Sequence, residues 1–132
     1  MPSLQEVVRR LGAAIDALNQ WGKVEVTETN YINKAYRNIY EAYYMLKKIE
    51  KQLRIPEHEK KSILDKLKSA GEKIRKAIEE LRKGKTNPAD LLITSGRKDL
   101  LRAQAELLAT QIREVKEKLE TALKTLRKLK EA

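Results

Sequence analysis

The sequence predicts an all-α fold: an antiparallel up-down-up-down four-helix bundle with an elongated C-terminal helix. Three observations carry that expectation. Apolar residues recur at helical spacing through four segments separated by helix-stop residues. The connections between these segments are only a few residues long, which favours antiparallel neighbours. In the last segment, nine apolar positions alternate in steps of four and three: Leu101, Ala105, Leu108, Ile112, Val115, Leu119, Ala122, Leu126 and Leu129. Such a heptad seam belongs to a helix that packs lengthwise against other helices.

The first helix is expected over residues 3–21. Ser3 and Glu6 form a capping box, in which each side chain can satisfy a free backbone N–H at the helix start. Leu4, Val7, Val8, Leu11, Ile15 and Leu18 follow on one face, and Gly22 stands where a C-terminal cap belongs. Val24-Glu25-Val26 alternates like a strand but has no second strand to pair with, so an extended connection is expected. The second helix is expected over 29–53, with Thr29 or Asn30 as its cap and Ile32, Ala35, Ile39, Ala42, Leu46, Ile49 and Leu53 as its core stripe. Ile55-Pro56 ends it, because the residue before proline is pushed out of the helical region.

Pro56 then suits the first position of a third helix over 57–83, which has Glu57 and Glu59 near its positive end and Gly84 as its stop. Its apolar face is Ile63, Leu64, Leu67, Ala70, Ile74, Ala77, Ile78 and Leu81. Asn87-Pro88-Ala89-Asp90 reads as another helix start, and Thr94-Ser95-Gly96 as an interruption. The expectation is a short helical turn over 88–94 and a fourth helix over 97–131, about 52 Å long. One kinked helix from Pro88 onward is the alternative.

At 132 residues with 41% apolar content, the chain fits a single domain, 1–132, with one core. Phenylalanine is absent, so that core must be aliphatic. No cysteine is present, which removes disulfides, zinc ribbons and thiol nucleophiles. No stretch approaches the roughly 20 apolar residues that span a bilayer, and the N-terminal residues lack the pattern of a signal peptide. A cytoplasmic, intracellular location is the expectation, with a virus-associated one equally compatible; no membrane association is expected.

Catalytic and cofactor chemistry find no foothold. A bundle can house a di-metal centre only with two Glu-x-x-His pairs, and the one histidine, His58, sits between Glu57 and Glu59 in a charged first turn. Gly84-Lys85-Thr86 echoes a phosphate-binding loop, but Glu79 stands where the earlier glycine is required. The expectation is a non-enzymatic protein with no cofactor, no metal and no small-molecule substrate.

The net charge is +10, from 29 basic and 19 acidic residues. The excess is +3 over residues 27–55, +3 over 56–84 and +4 over 97–132, so no segment is a purely basic tail. A surface rich in Lys and Glu matches heat-adapted helical proteins, and a positive excess also matches nucleic-acid binding. Tyr36, Tyr40 and Tyr44 recur every fourth residue and form one ridge, continued by Lys47 and Lys51. These rings are expected to cover the edge of the core with their hydroxyls toward water, and the same ridge can also anchor a protein partner. The far end of the heptad seam, Leu119, Leu126 and Leu129, outruns the shorter helices and calls for cover, most simply by a second copy in a homodimer. The alternative is sequence-independent nucleic-acid binding through Arg37, Lys124, Arg127, Lys128 and Lys130, where cations flank the ridge and the last turns.

Overall fold

A computed structural model describes residues 2–22 and 29–131. It is all-helical, with four helices packed against one another: α1 (Leu4–Asn19), α2 (Thr29–Ile49), α3 (Glu57–Arg82) and α4 (Thr86–Glu131). A single 3₁₀ turn, Glu50–Gln52, follows α2. The connection at Val24-Glu25-Val26 lies outside the described residues, and Thr29 and Asn30, expected to cap α2, are instead its first two residues.

Each helix ends for a local reason. The hydroxyl of Ser3 accepts the Glu6 N–H (3.2 Å) and caps α1. At the other end Gly22 takes a positive φ of 82°, which residues with a Cβ seldom adopt. Pro56 is the cap of α3 rather than its first residue, and its carbonyl accepts the N–H groups of Glu59 and Lys60. At the end of α3, Gly84 donates to the Leu81 carbonyl and Lys85 to the Glu80 carbonyl, the paired bonds of a Schellman cap. This cap accounts for Gly84 (φ 76°), the glycine whose sequence context echoes a phosphate loop.

The start of α4 corrects the sequence expectation. Residues 88–94 are not a separate turn, and the helix does not begin at Arg97. It runs unbroken from Thr86 for 46 residues, about 69 Å. Pro88 is tolerated because it falls in the first turn, where a backbone N–H has no acceptor within the helix. Thr94-Ser95-Gly96 continues the helix because Gly96 serves packing. It is buried against α3, and a Cβ built on it would lie 3.0 Å from Ile74 Cδ1.

The helices meet in pairs: α1 with α2 and α4, and α3 with α2 and α4. The core is aliphatic, as its composition requires. Val7, Leu11 and Leu18 meet Ile32, Ile39 and Leu46, then Ile63, Leu67 and Ile74, and finally Leu100 and Leu107. All seven residues of the stripe expected on α2 are buried, Leu53 among them although the helix proper stops at Ile49. Ion pairs stitch α3 to α4 at regular intervals: Glu59 with Arg113 (3.0 Å), Lys66 with Glu106, and Lys73 with Asp99 (2.8 Å). The Trp21 indole N–H donates to Asp90 (2.8 Å), and Arg97 donates to Asn19, which ties the end of α1 to the early turns of α4.

Two glycines inside helices should respond in opposite ways to substitution. Gly12→Ala meets nothing within 4 Å and should stabilise the protein by about 0.5–1 kcal/mol through helix propensity. Gly96→Val overpacks the α3–α4 contact and should cost about 1–3 kcal/mol. Urea denaturation followed by circular dichroism measures both.

Candidate interaction surface

The heptad seam of α4 does not face the core over its first half, contrary to the sequence expectation. The buried face of α4 is Ala89, Ile93, Gly96, Leu100, Ala103, Leu107 and Thr110. From Ile93 this set also alternates in steps of three and four, so α4 carries two heptad-like seams on opposite sides. The doublets Leu100-Leu101 and Leu107-Leu108 belong to both seams, which is why spacing alone does not choose between them. Packing chooses the inner one, because Gly96 and Ala103 let α3 approach closely while Leu100 and Leu107 fill the core.

The inner seam stops at Thr110, whose hydroxyl donates to the Glu106 carbonyl (3.1 Å). One and two turns further on, its register falls on Glu114 and Glu117, and then on Thr121 and Lys124. These are not core residues, so the packed core ends here. Arg113 pairs with Glu59 in the first turn of α3, and every residue from Val115 to Glu131 is exposed. Those 17 residues project about 25 Å, with Gln52 and Arg54 beside Glu117, Lys118 and Thr121 at their base. Within them, Thr121 and Thr125 donate back to the carbonyls of Glu117 and Thr121. Glu114–Lys118 and Glu120–Lys124 have the favourable i,i+4 order.

The outer seam continues where the inner one ends. Leu101, Leu108, Ile112, Val115, Leu119, Leu123, Leu126 and Leu129 are between 41% and 69% exposed, with Ala105 and Ala122 exposed in line with them. The result is one apolar stripe about 42 Å long. It begins on the outer side of the packed half of α4 and runs onto the overhang. Where the stripe passes the start of α1, an open groove of about 600 Å³ forms between Ser3, Leu4 and Gln5 on one side and Ile112, Val115 and Lys118 on the other. Monomers rarely expose contiguous apolar surface on this scale.

The expected partner residues Leu119, Leu126 and Leu129 therefore lie on the stripe. Sequence reasoning missed Leu101, Leu108, Ile112 and Val115 as surface residues by assigning that half to the core. The polar turn of the inner register at Glu114 and Glu117 was the available signal. Lys124, Arg127, Lys128 and Lys130 are exposed around the stripe's far end.

The tyrosine ridge is a second, smaller feature. Ring centroids of Tyr36 and Tyr40 are 4.8 Å apart, and those of Tyr40 and Tyr44 6.3 Å, with Tyr43 edge-on to Tyr44 at 5.4 Å. The structure thus brings the predicted ridge together, but only Tyr44 is largely exposed. Tyr36 and Tyr43 pack against the core. Tyr40 lies over Gly71 of α3, where a Cβ would sit 2.9 Å from the ring. Its burial, followed by the neighbouring Tyr36, pushes the Tyr40 phenol above its ordinary value. The ridge therefore largely closes the α2–α3 seam, with Arg37 and Lys47 exposed on α2 and Lys51 exposed on the 3₁₀ turn that follows it.

Among the described residues, no group of three or more His, Cys, Asp or Glu side chains is placed to hold a metal ion, and no helix is long and apolar enough to cross a membrane. Comparison with protein-family models, curated proteins and solved structures finds no match to this chain.

The two seams give neighbouring leucines different weights. Leu107→Ala, at a fully buried site, should cost about 2–5 kcal/mol. Leu108→Ala, at a site 41% exposed, should cost about 1 kcal/mol or less. Denaturation at low micromolar concentration distinguishes the two.

Proposed function

We propose that this chain is an antiparallel up-down-up-down four-helix bundle acting as a non-enzymatic protein–protein interaction module, and that it self-associates as a dimer through the outer stripe of α4. The antiparallel arrangement is supported by the α3–α4 ion pairs. Their positions rise in steps of seven along α3 (Glu59, Lys66, Lys73) and fall in steps of seven along α4 (Arg113, Glu106, Asp99). The interaction role rests on one observation: an apolar seam of nine heptad positions that faces away from its own bundle. Covering a leucine removes roughly 1.5–3 kcal/mol of unfavourable hydration, so a stripe of this length is a strong drive to associate.

The second copy is the simplest cover because it is always present at the same concentration and carries the same stripe. Nucleic acid on Arg37, Lys124, Arg127, Lys128 and Lys130 is the weaker reading. The surface between the cations of the overhang is apolar, and a phosphate backbone does not desolvate it.

Light scattering coupled to size exclusion tests the proposal. The wild-type chain should run at twice its 15.2 kDa mass. Leu119→Glu with Leu126→Glu should weaken association at least about 100-fold and give the single-chain mass, with helicity retained because both sites are exposed. A wild-type chain that stays monomeric at millimolar concentration contradicts self-association.

A further inference from the structure

The residues along the stripe also distinguish the ways in which two copies can align. In the heptad frame, Ala105, Ile112, Leu119 and Leu126 occupy a positions, and Leu101, Leu108, Val115, Ala122 and Leu129 occupy d positions. Parallel pairing sets every residue against itself. Ala105 then faces Ala105 and Ala122 faces Ala122, leaving two thin layers. It also sets the two 121–131 segments side by side, each with Lys124, Arg127, Lys128 and Lys130 against a single acid, Glu131. Those cations would face each other within the screening length of about 8–10 Å.

Reversing one copy removes both faults. With a two-fold axis midway between Val115 and Leu119, a positions meet d positions from Ala105 to Leu129, and Leu101 lies past the end of the paired stretch. Ala105 faces Leu129, Leu108 faces Leu126, Ile112 faces Ala122, and Val115 faces Leu119. Every alanine is then matched by a large side chain, as close packing requires. The basic ends part to opposite sides, with the two Arg127 positions about 30 Å apart along the axis. At the centre, residues 113–120 carry three cations (Arg113, Lys116, Lys118) and three acids (Glu114, Glu117, Glu120), so the two copies meet without net charge. Lys116 and Lys118 flank the seam, and Glu120 and Glu114 one turn away on the same helix offset them.

The size fits as well. Within the paired stretch, seven aliphatic side chains from Leu108 to Leu129, 41–69% exposed, present apolar surface on the order of the roughly 800 Å² per partner that stable interfaces bury. Resting on the self-association proposed above, we infer that a second copy docks antiparallel on α4, so that the overhang of each chain covers the bundle-borne half of the other's stripe. The part of α4 that its own chain leaves bare is then supported by the segment Ala105 to Val115 of the other copy. The groove beside Ser3 and Leu4 lies at the centre of the contact.

The chain has no cysteine, so single introduced cysteines carry spin labels without background. Glu117→Cys and Lys128→Cys both place a label on the side of α4 away from the second copy, and neither replaces a stripe residue. Double electron–electron resonance on the full chain should give an interlabel distance of roughly 20 Å for position 117 and about 35 Å for position 128. Roughly 20 Å at both positions overturns the antiparallel alignment but keeps self-association. A dipolar signal absent from both labelled chains at high concentration overturns both.

Discussion

A helix can press only one side against its own core, and α4 has two apolar sides. That constraint governs the rest of the molecule. The inner side, from Ala89 to Thr110, completes a core that α1, α2 and α3 cannot close among themselves. The outer side, from Leu101 to Leu129, is left to water by the chain that carries it. Because both sides belong to one continuous helix, whatever holds the inner side also aims the outer one. Gly96 against Ile74, together with the ion pairs at seven-residue intervals, sets the rotation of α4 about its own axis. The outer stripe then points away from the core by necessity.

The same constraint determines where the packed core stops. A helix leaves a core when its inward register turns polar, and here that happens between Thr110 and Glu114. Past the base of the overhang α4 relies on its own backbone hydrogen bonds and on charge pairs one turn apart. An isolated segment of this length is marginal in water. Continuity with the packed half supplies its nucleus, and a partner on the stripe would supply the tertiary contact that most protein helices rely on. The basic side chains near its end are favoured by the negative pole of the helix. They therefore keep the overhang soluble at little cost.

Most of the fold is legible in the residues, because amphipathic spacing and stop signals are local properties. The stripes of α1, α2 and α3 could be read directly, as could the caps at Ser3 and Gly84. Two features were not legible, and both depend on a neighbour. Gly96 looks like a helix stop until Ile74 is placed beside it, since a glycine that breaks and a glycine that packs are the same residue in a sequence. The facing of α4 was hidden by the leucine doublets at 100–101 and 107–108, which satisfy either seam. Of the candidate surface, the far end at Leu119, Leu126 and Leu129 was found because it outruns the other helices. The near end was lost because a heptad pattern gives a period without saying which side of the helix it serves. The tyrosine ridge and its place over the core edge are legible in the four-residue spacing beside the α2 stripe, whereas the seat of Tyr40 on Gly71 depends on α3.

Hydrogen exchange of the amides between Val115 and Leu129, measured at two protein concentrations, tests most directly whether the outer stripe is an interface. The account predicts protection in this segment that grows with concentration, while the amides of the inner-seam turns around Leu100 and Leu107 exchange slowly at both. Rapid exchange from Val115 to Leu129 that is the same at both concentrations would contradict it, since the overhang would then be a helix end that nothing covers.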